Sequence, residues 1–214
     1  MDTGFLITSF VTLFVVIDPI GLAPVFIALT QGTSAAYRRT VALRACVVAT
    51  GILLLFTFFG EALLEAIGIS MAAFKIAGGI LLFLTALDML FERRTKRRED
   101  KADQTADQNA DQEDDAADPS VFPIAIPLIS GPGAIASMIL LGGQTSDFAG
   151  LAAVIGVMLA VILIVLALFM TASMIERLLG RTGITVVTRL LGMLLAALAV
   201  QFVLDGIRDY GLVG

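Results

Sequence analysis

The sequence predicts an all-α membrane protein of six transmembrane helices, built as two inverted three-helix repeats with spans 1 and 4 each broken into half-helices. Three observations lead there. Hydrophobic residues make up 58% of the 214 and charged residues only 15%, and the mean hydropathy is +0.95, a composition that soluble domains do not have. Several apolar runs reach about 20 residues, enough to cross a hydrocarbon core roughly 30 Å thick. The two halves of the chain also match each other at a nearly constant offset.

The spans are expected at 5–29, 41–60, 69–90, 121–142, 149–171 and 184–204. Span 1 is expected to stay in the mature protein, because Asp2 stands where a cleavable signal has basic residues and no small-residue cleavage pattern follows. Orientation follows from Lys and Arg. Arg38, Arg39 and Arg44 follow span 1, Arg93, Arg94, Lys96, Arg97, Arg98 and Lys101 follow span 3, and Arg177 and Arg181 follow span 5. The positive-inside rule then puts these three connections in the cytoplasm and both termini outside. Full crossings are implied for spans 1 and 4, since a re-entrant loop would move one basic connection outside.

Three regions are expected: a first repeat at 1–91, a polar linker at 92–120 and a second repeat at 121–214. From Glu99 to Asp118 the linker holds nine acidic residues and one lysine, with "ADQ" recurring, and it reads as disordered and cytoplasmic. Across it, a shift of 113 residues carries Pro19 onto Pro132 and Gln31 onto Gln144, and a shift of 114 carries Lys75 onto Arg189 and Gly78 onto Gly192. Three spans per half is an odd number, so the second half must enter the membrane from the opposite side. Inverted repeats of this kind recur in secondary transporters.

Span 1 contains "IDPIG", in which Asp18 before Pro19 is a helix start set inside an apolar run. Span 4 contains "PLISGPGAIASMILL", in which Ser130 and Gly131 before Pro132 make the same kind of start. Each second half-helix would begin near mid-bilayer, and inversion would aim the two N-termini towards each other, where unpaired N–H groups suit an anion such as a carboxylate. Gly21, Gly131 and Gly133 would let a ligand approach the backbone, and Thr12 would line the cavity. Such substrate-binding breaks compete with a plainer reading, since prolines in membrane helices often make only kinks. Asp18 is a cap, and at this depth also an acid that would accept a proton, bind a coupling cation or meet a ligand's ammonium group.

Several chemistries are excluded. The chain has no histidine and one cysteine, Cys46, so imidazole relays, Ser-His-Asp catalysis and thiolate metal sites are out. No P-loop or nucleophile–base pair stands out. We expect no enzyme activity, no cofactor and no nucleic-acid partner, with the coupling ion, Na+ or H+, left open. Lys75 and Arg189 read as interfacial anchors, and Asp88 and Asp205 as solvated span ends.

The segments "DPIGLAPVFIALT" and "IPLISGPGAIASMILL", the six spans and the polar centre together resemble the MarC family of prokaryotic inner-membrane proteins. The resemblance implies transport of small neutral amino acids, as assigned to some relatives. A zwitterionic amino acid would offer its carboxylate to the half-helix N-termini and its ammonium to Asp18 or to exposed carbonyls. The expectation is therefore a secondary transporter binding a small solute between the repeats. The alternatives are a selective channel and a membrane protein acting through partners.

Overall fold

The computed structural model describes residues 3–93, 118–145 and 147–211, and among them all regular structure is helical. In chain order the helices are α1 (Thr3–Ile17), α2 (Pro19–Leu29), α3 (Ala35–Ala66), α4 (Met71–Leu90), α5 (Ser120–Ile129), α6 (Pro132–Gly143), α7 (Phe148–Met170) and α8 (Ala172–Asp209). Five spans are long and apolar enough to cross a membrane, and α5 with α6 makes a sixth if that bent pair is counted as one. Of the expected linker, residues 94–117 lie outside the described residues.

Helix starts follow local capping chemistry. Ser34, Ser70 and Asp147 each accept a backbone N–H three residues on, from Tyr37, Ala73 and Gly150, which satisfies one of the donors that a helix N-terminus leaves unpaired. The span boundaries expected from hydropathy agree with the helices to within a few residues at α4 and α7 but not at α3, which runs further at both ends. The extra turns carry Tyr37, Arg38 and Arg39 at one end and Glu61 and Glu65 at the other. A helix can continue into the polar interface, where hydropathy no longer reports it. At α8 the expected start agrees, since its membrane span runs over Thr182–Asp209. Arg177 and Arg181 stand before that span, at a short helical lead-in that kinks at Gly180 (φ 60°, ψ 174°), a backbone conformation open essentially to glycine alone.

α1 and α2 form one span of 27 residues, and 67% of its apolar window is buried, against 28–39% for the other unbent spans. The first span is thus the centre of the bundle. α6 joins it there, with Ala134 and Ser137 to Leu141 buried. α3, α4, α7 and α8 surround this pair and present exposed Val47, Phe59, Leu84, Leu163 and Leu194 outward, as helices facing lipid do.

The outer pair α4 and α8 packs antiparallel with backbones close together. A Cβ on Gly79 would meet Ala199 O at 2.8 Å and Val203 N at 3.0 Å, and one on Gly192 would meet Ala86 O at 3.2 Å. Small residues at such contacts allow the close approach that stabilises helix pairs in lipid. Ion pairs bracket the pair: Lys75 with Asp209 at 2.6 Å and Arg189 with Glu92 at 2.8 Å. Lys75 and Arg189 thus each hold a carboxylate of the chain.

Candidate functional site

Asp18 interrupts the first span without bending it sharply. Its backbone is left-handed (φ 57°, ψ 64°), a region that aspartate tolerates better than most residues. The hydrogen-bond ladder continues on both sides, from Asp18 N to Phe14 O at 2.9 Å and from Leu22 N to Asp18 O at 3.1 Å. Pro19, at the first position of α2, has no N–H to leave unpaired. The Asp18 carboxylate folds over the α2 N-terminus, accepting from Gly21 N at 3.1 Å. Gly21 must be glycine for this, because a Cβ there would overlap the carboxylate oxygens. With 1% of Asp18 exposed, an acid sits closed within the most buried span.

The second break is built differently. α5 contains Pro123 and Pro127, each after a cis peptide bond, and non-helical backbone at Phe122 and Ile126. Prolines cannot donate to a helical ladder, and the bonds that form are wide ones spanning five residues, from Ile124 N to Pro119 O and from Ser130 N to Ala125 O. α5 and α6 meet at an angle of 57°. Ser130 does not cap α6, although the sequence reads as a start of that kind. Its hydroxyl donates to Ala49 O of α3 at 3.2 Å, and Gly131 stands at the cap position with no side-chain bond to offer. Gly131 is held tightly, since a Cβ there would come 2.7 Å from Pro127 O. Pro132 is exposed on the surface of the chain.

The two breaks meet through Val16 and Gly133. A Cβ on Gly133 would lie 3.1 Å from Val16 Cγ1, 3.4 Å from Leu82 Cδ2 and 3.8 Å from Thr85 Oγ1. Gly133 therefore seats the first turn of α6 against the end of α1, two residues before Asp18, and against α4. Thr12 lies one turn before Val16 on the same stripe of α1. It is fully buried, and its Oγ1 has no hydrogen-bond partner among the described residues, a cost that native structures seldom leave unexplained. Of the expected site residues, Thr12, Asp18, Pro19, Gly21, Ser130 and Gly133 are buried, Gly131 is half-buried and Pro132 lies outside. Thr85, whose hydroxyl bonds back to Leu81 O at 2.9 Å, was not anticipated, and a lone threonine within an apolar span was the signal for it. Among the described residues no cluster of three or more metal-ligating side chains is present.

Comparison with known proteins places the chain among integral membrane proteins of similar length. The family model for the MarC family of integral membrane proteins matches residues 3–210. The chain belongs to the MarC family. Among its relatives, a UPF0056 membrane protein of Methanocaldococcus jannaschii is 37% identical over 209 residues, covering 97% of this chain and 98% of the relative. One from Archaeoglobus fulgidus is 40% identical over 207 residues, covering 96% and 93%. YhcE of Escherichia coli is 37% identical over 202 residues, covering 93% and 90%. No solved structure matches the chain. This MarC protein is thus an integral membrane protein of a family found in bacteria and archaea, and its bilayer environment follows from that.

Proposed function

We propose that this MarC protein is a secondary transporter of small zwitterionic solutes, with small neutral amino acids as the substrate class, bound where the two breaks meet. The observation that carries the reading is Asp18. An acid buried in the most central span, at a left-handed break and two residues beyond the contact with α6, is costly to keep without a purpose. Around it lie what a zwitterion needs: a carboxylate for the ammonium group, the Thr12 hydroxyl, and the α6 N-terminus, which lacks a side-chain cap, for the carboxylate. The structure is closed over Asp18, so in this reading it is an occluded state and access requires the halves to move.

The inverted-repeat organisation, with half-helices at spans 1 and 4, is part of the same proposal, and the α4–α8 packing supports it. An offset of 113 exchanges Gly79 with Gly192, Ala86 with Ala199 and Leu90 with Val203. Gly79 packs against Ala199 and Val203, and Gly192 packs against Ala86 and Leu90. Each contact is the image of the other, as a pseudo-two-fold axis between inverted halves requires. The packing thus favours Gly79 over Gly78 as the counterpart of Gly192. In the proposed orientation both termini lie outside and the connections after α2 and α7 face the cytoplasm.

The test is counterflow of labelled glycine, alanine and serine in liposomes containing the purified protein, with Asp18→Asn beside it. The amide keeps an oxygen for Gly21 N but loses the charge. The expected result is saturable exchange in the wild type and at least a tenfold loss in folded Asp18→Asn, about what removing one charge-assisted bond does. Flux without saturation or exchange would point to a channel. No flux of any of the three through folded protein would remove the amino-acid reading and favour a role through partners.

A further inference from the structure

The two ends of the bundle carry cavities that occupy equivalent places but differ in charge. One, of about 230 Å³, lies where α2 ends, α3 begins, α7 ends and α8 begins; Phe26, Thr30, Arg38, Arg39 and Phe169 are among its lining residues. The other, of about 390 Å³, lies where α3 and α6 end and α7 begins; Thr57, Glu61, Ile139, Asp147 and Phe148 are among its lining residues. From Arg39 to Thr57 along α3 the rise is about 27 Å, so the cavities lie near opposite faces of the membrane.

On the inverted-repeat reading, the offset of 113 carries Phe26, Thr30, Ala35 and Arg38 of the first cavity onto Ile139, Gly143, Phe148 and Leu151 of the second. The shared architecture accounts for the hollow but not for its chemistry, because Leu151 stands where the other cavity has Arg38. The arginines are thus not needed to build a cavity of this shape. Arg38 spends only its Nε, on Thr30 O at 3.2 Å, and among the described residues neither Arg38 nor Arg39 pairs with a carboxylate, unlike Arg44 and Arg189. At the same place no side chain caps α8. Thr171, at its cap position, turns its hydroxyl back to Ala167 O at 2.8 Å, while Ser173 in the first turn lines the cavity. The opposite wall is apolar, formed by the Phe26 and Phe169 rings, stacked with centroids 4.4 Å apart, and by Met170.

We propose that this cavity binds a phosphate group, with Arg38 and Arg39 as its cationic ligands and the wall of Phe26, Phe169 and Met170 against the carbon skeleton that bears it. Two guanidinium groups offer forked donors matched to phosphate oxygens, and the bare α8 terminus adds a favourable dipole. The apolar wall selects a phosphate attached to an organic body. An anionic phospholipid headgroup and a soluble phosphate ester share that chemistry.

The experiment separates the two sources in the full-length protein. Protein from nanodiscs of phosphatidylglycerol mixed with phosphatidylcholine is released into the gas phase, and retained lipids are counted by native mass spectrometry. In parallel, glycerol 3-phosphate and inorganic phosphate are titrated calorimetrically into protein in phosphatidylcholine nanodiscs. We expect phosphatidylglycerol to be retained preferentially by the wild type, with the preference lowered about tenfold in Arg38→Gln/Arg39→Gln, as loss of charge-assisted bonds implies, and unchanged in Glu61→Gln at the opposite cavity. Because Arg38 also holds Thr30 O, Arg39→Gln alone is the variant with no described bond to lose, and it should show a smaller drop in the same direction. Arginine-dependent binding of glycerol 3-phosphate without lipid preference would support the site with a soluble ligand. If folded Arg39→Gln and the double variant match the wild type in both measurements, the arginines serve only to orient the chain in the membrane and the proposal fails.

Discussion

The break at Asp18 carries its own side-chain cap, whereas the break at Gly131 has none and bonds across to a neighbouring helix. At the first, the cap and the ladder are local: Asp18 N bonds to Phe14 O, Leu22 N to Asp18 O and Gly21 N to the Asp18 carboxylate. The span continues through it as one 27-residue unit in the centre of the bundle. At the second, the chain turns by 57°, and its polar groups reach across to α3, through Ser130 to Ala49 O at one end of α5 and through Asp118 to Arg44 at the other. Two interrupted helices in apolar surroundings are thus built by different means. The first is capped from within its own span, and the second is tied to α3.

The sharpest way to break this contrast is Gly21→Ala. The added Cβ would overlap the Asp18 carboxylate, which must then turn away from the α2 N-terminus inside a buried span. We expect a loss of about 1–3 kcal/mol, as overpacking of a well-filled site costs, read by thermal unfolding in detergent. Asp18→Ala should cost about 1 kcal/mol through the lost cap. The double variant should be no less stable than Gly21→Ala alone, because the overlapping group is gone. Additive losses would mean that Gly21 serves some contact other than Asp18.

Ser130→Ala tests the other half of the contrast and should cost about 1 kcal/mol, the usual net worth of one hydrogen bond. Ala49 O lies within the α3 ladder, so it is not left unpaired, and the loss should be smaller than at Gly21. If the second break follows α3, amide exchange should rise at Ala49 and Ile129 together in this variant. An increase confined to α5 and α6 would show that this break is not tied to α3.

What was legible in the sequence follows the same division. Asp18 before Pro19 announces a helix start from adjacent residues alone, so its place and its cap could be read directly. Ser130 could not, since nothing local decides whether its hydroxyl caps α6 or reaches Ala49, which stands 81 positions away. The contact of Val16 with Gly133, the exposure of Pro132 and the part played by Thr85 are likewise set by helix packing, on which periodicity in an all-apolar span says little. The ends of the long α3 were missed for another reason. Arginine and glutamate at the membrane edge lower hydropathy without ending a helix.

The smallest expected effect is at the outer tether of the second break. Asp118 accepts from Arg44 at 2.8 Å and from Ser120 N at 3.0 Å. Partial burial pushes its carboxyl up, but the bonds from Ser120 and the Arg44 guanidinium outweigh this and hold it below the ordinary carboxylate range. A carboxyl with a folded value below its unfolded one stabilises the fold above the unfolded value, near 3.9, and that contribution is lost as pH falls through the folded value. Both side chains are more than a third exposed, so the pair is screened and should be worth less than about 1 kcal/mol at physiological salt. Unfolding midpoints of wild type and Asp118→Asn should therefore differ slightly at pH 7 and converge as pH falls through the lowered folded value, with the difference shrinking in high salt. No difference at any pH would mean that Asp118 holds the start of α5 through its bond from Ser120 N, which an amide oxygen can still accept, more than through its charge. The tether would then be a cap like that of Asp18, and the two breaks would be less unlike than the ion pair to α3 makes them.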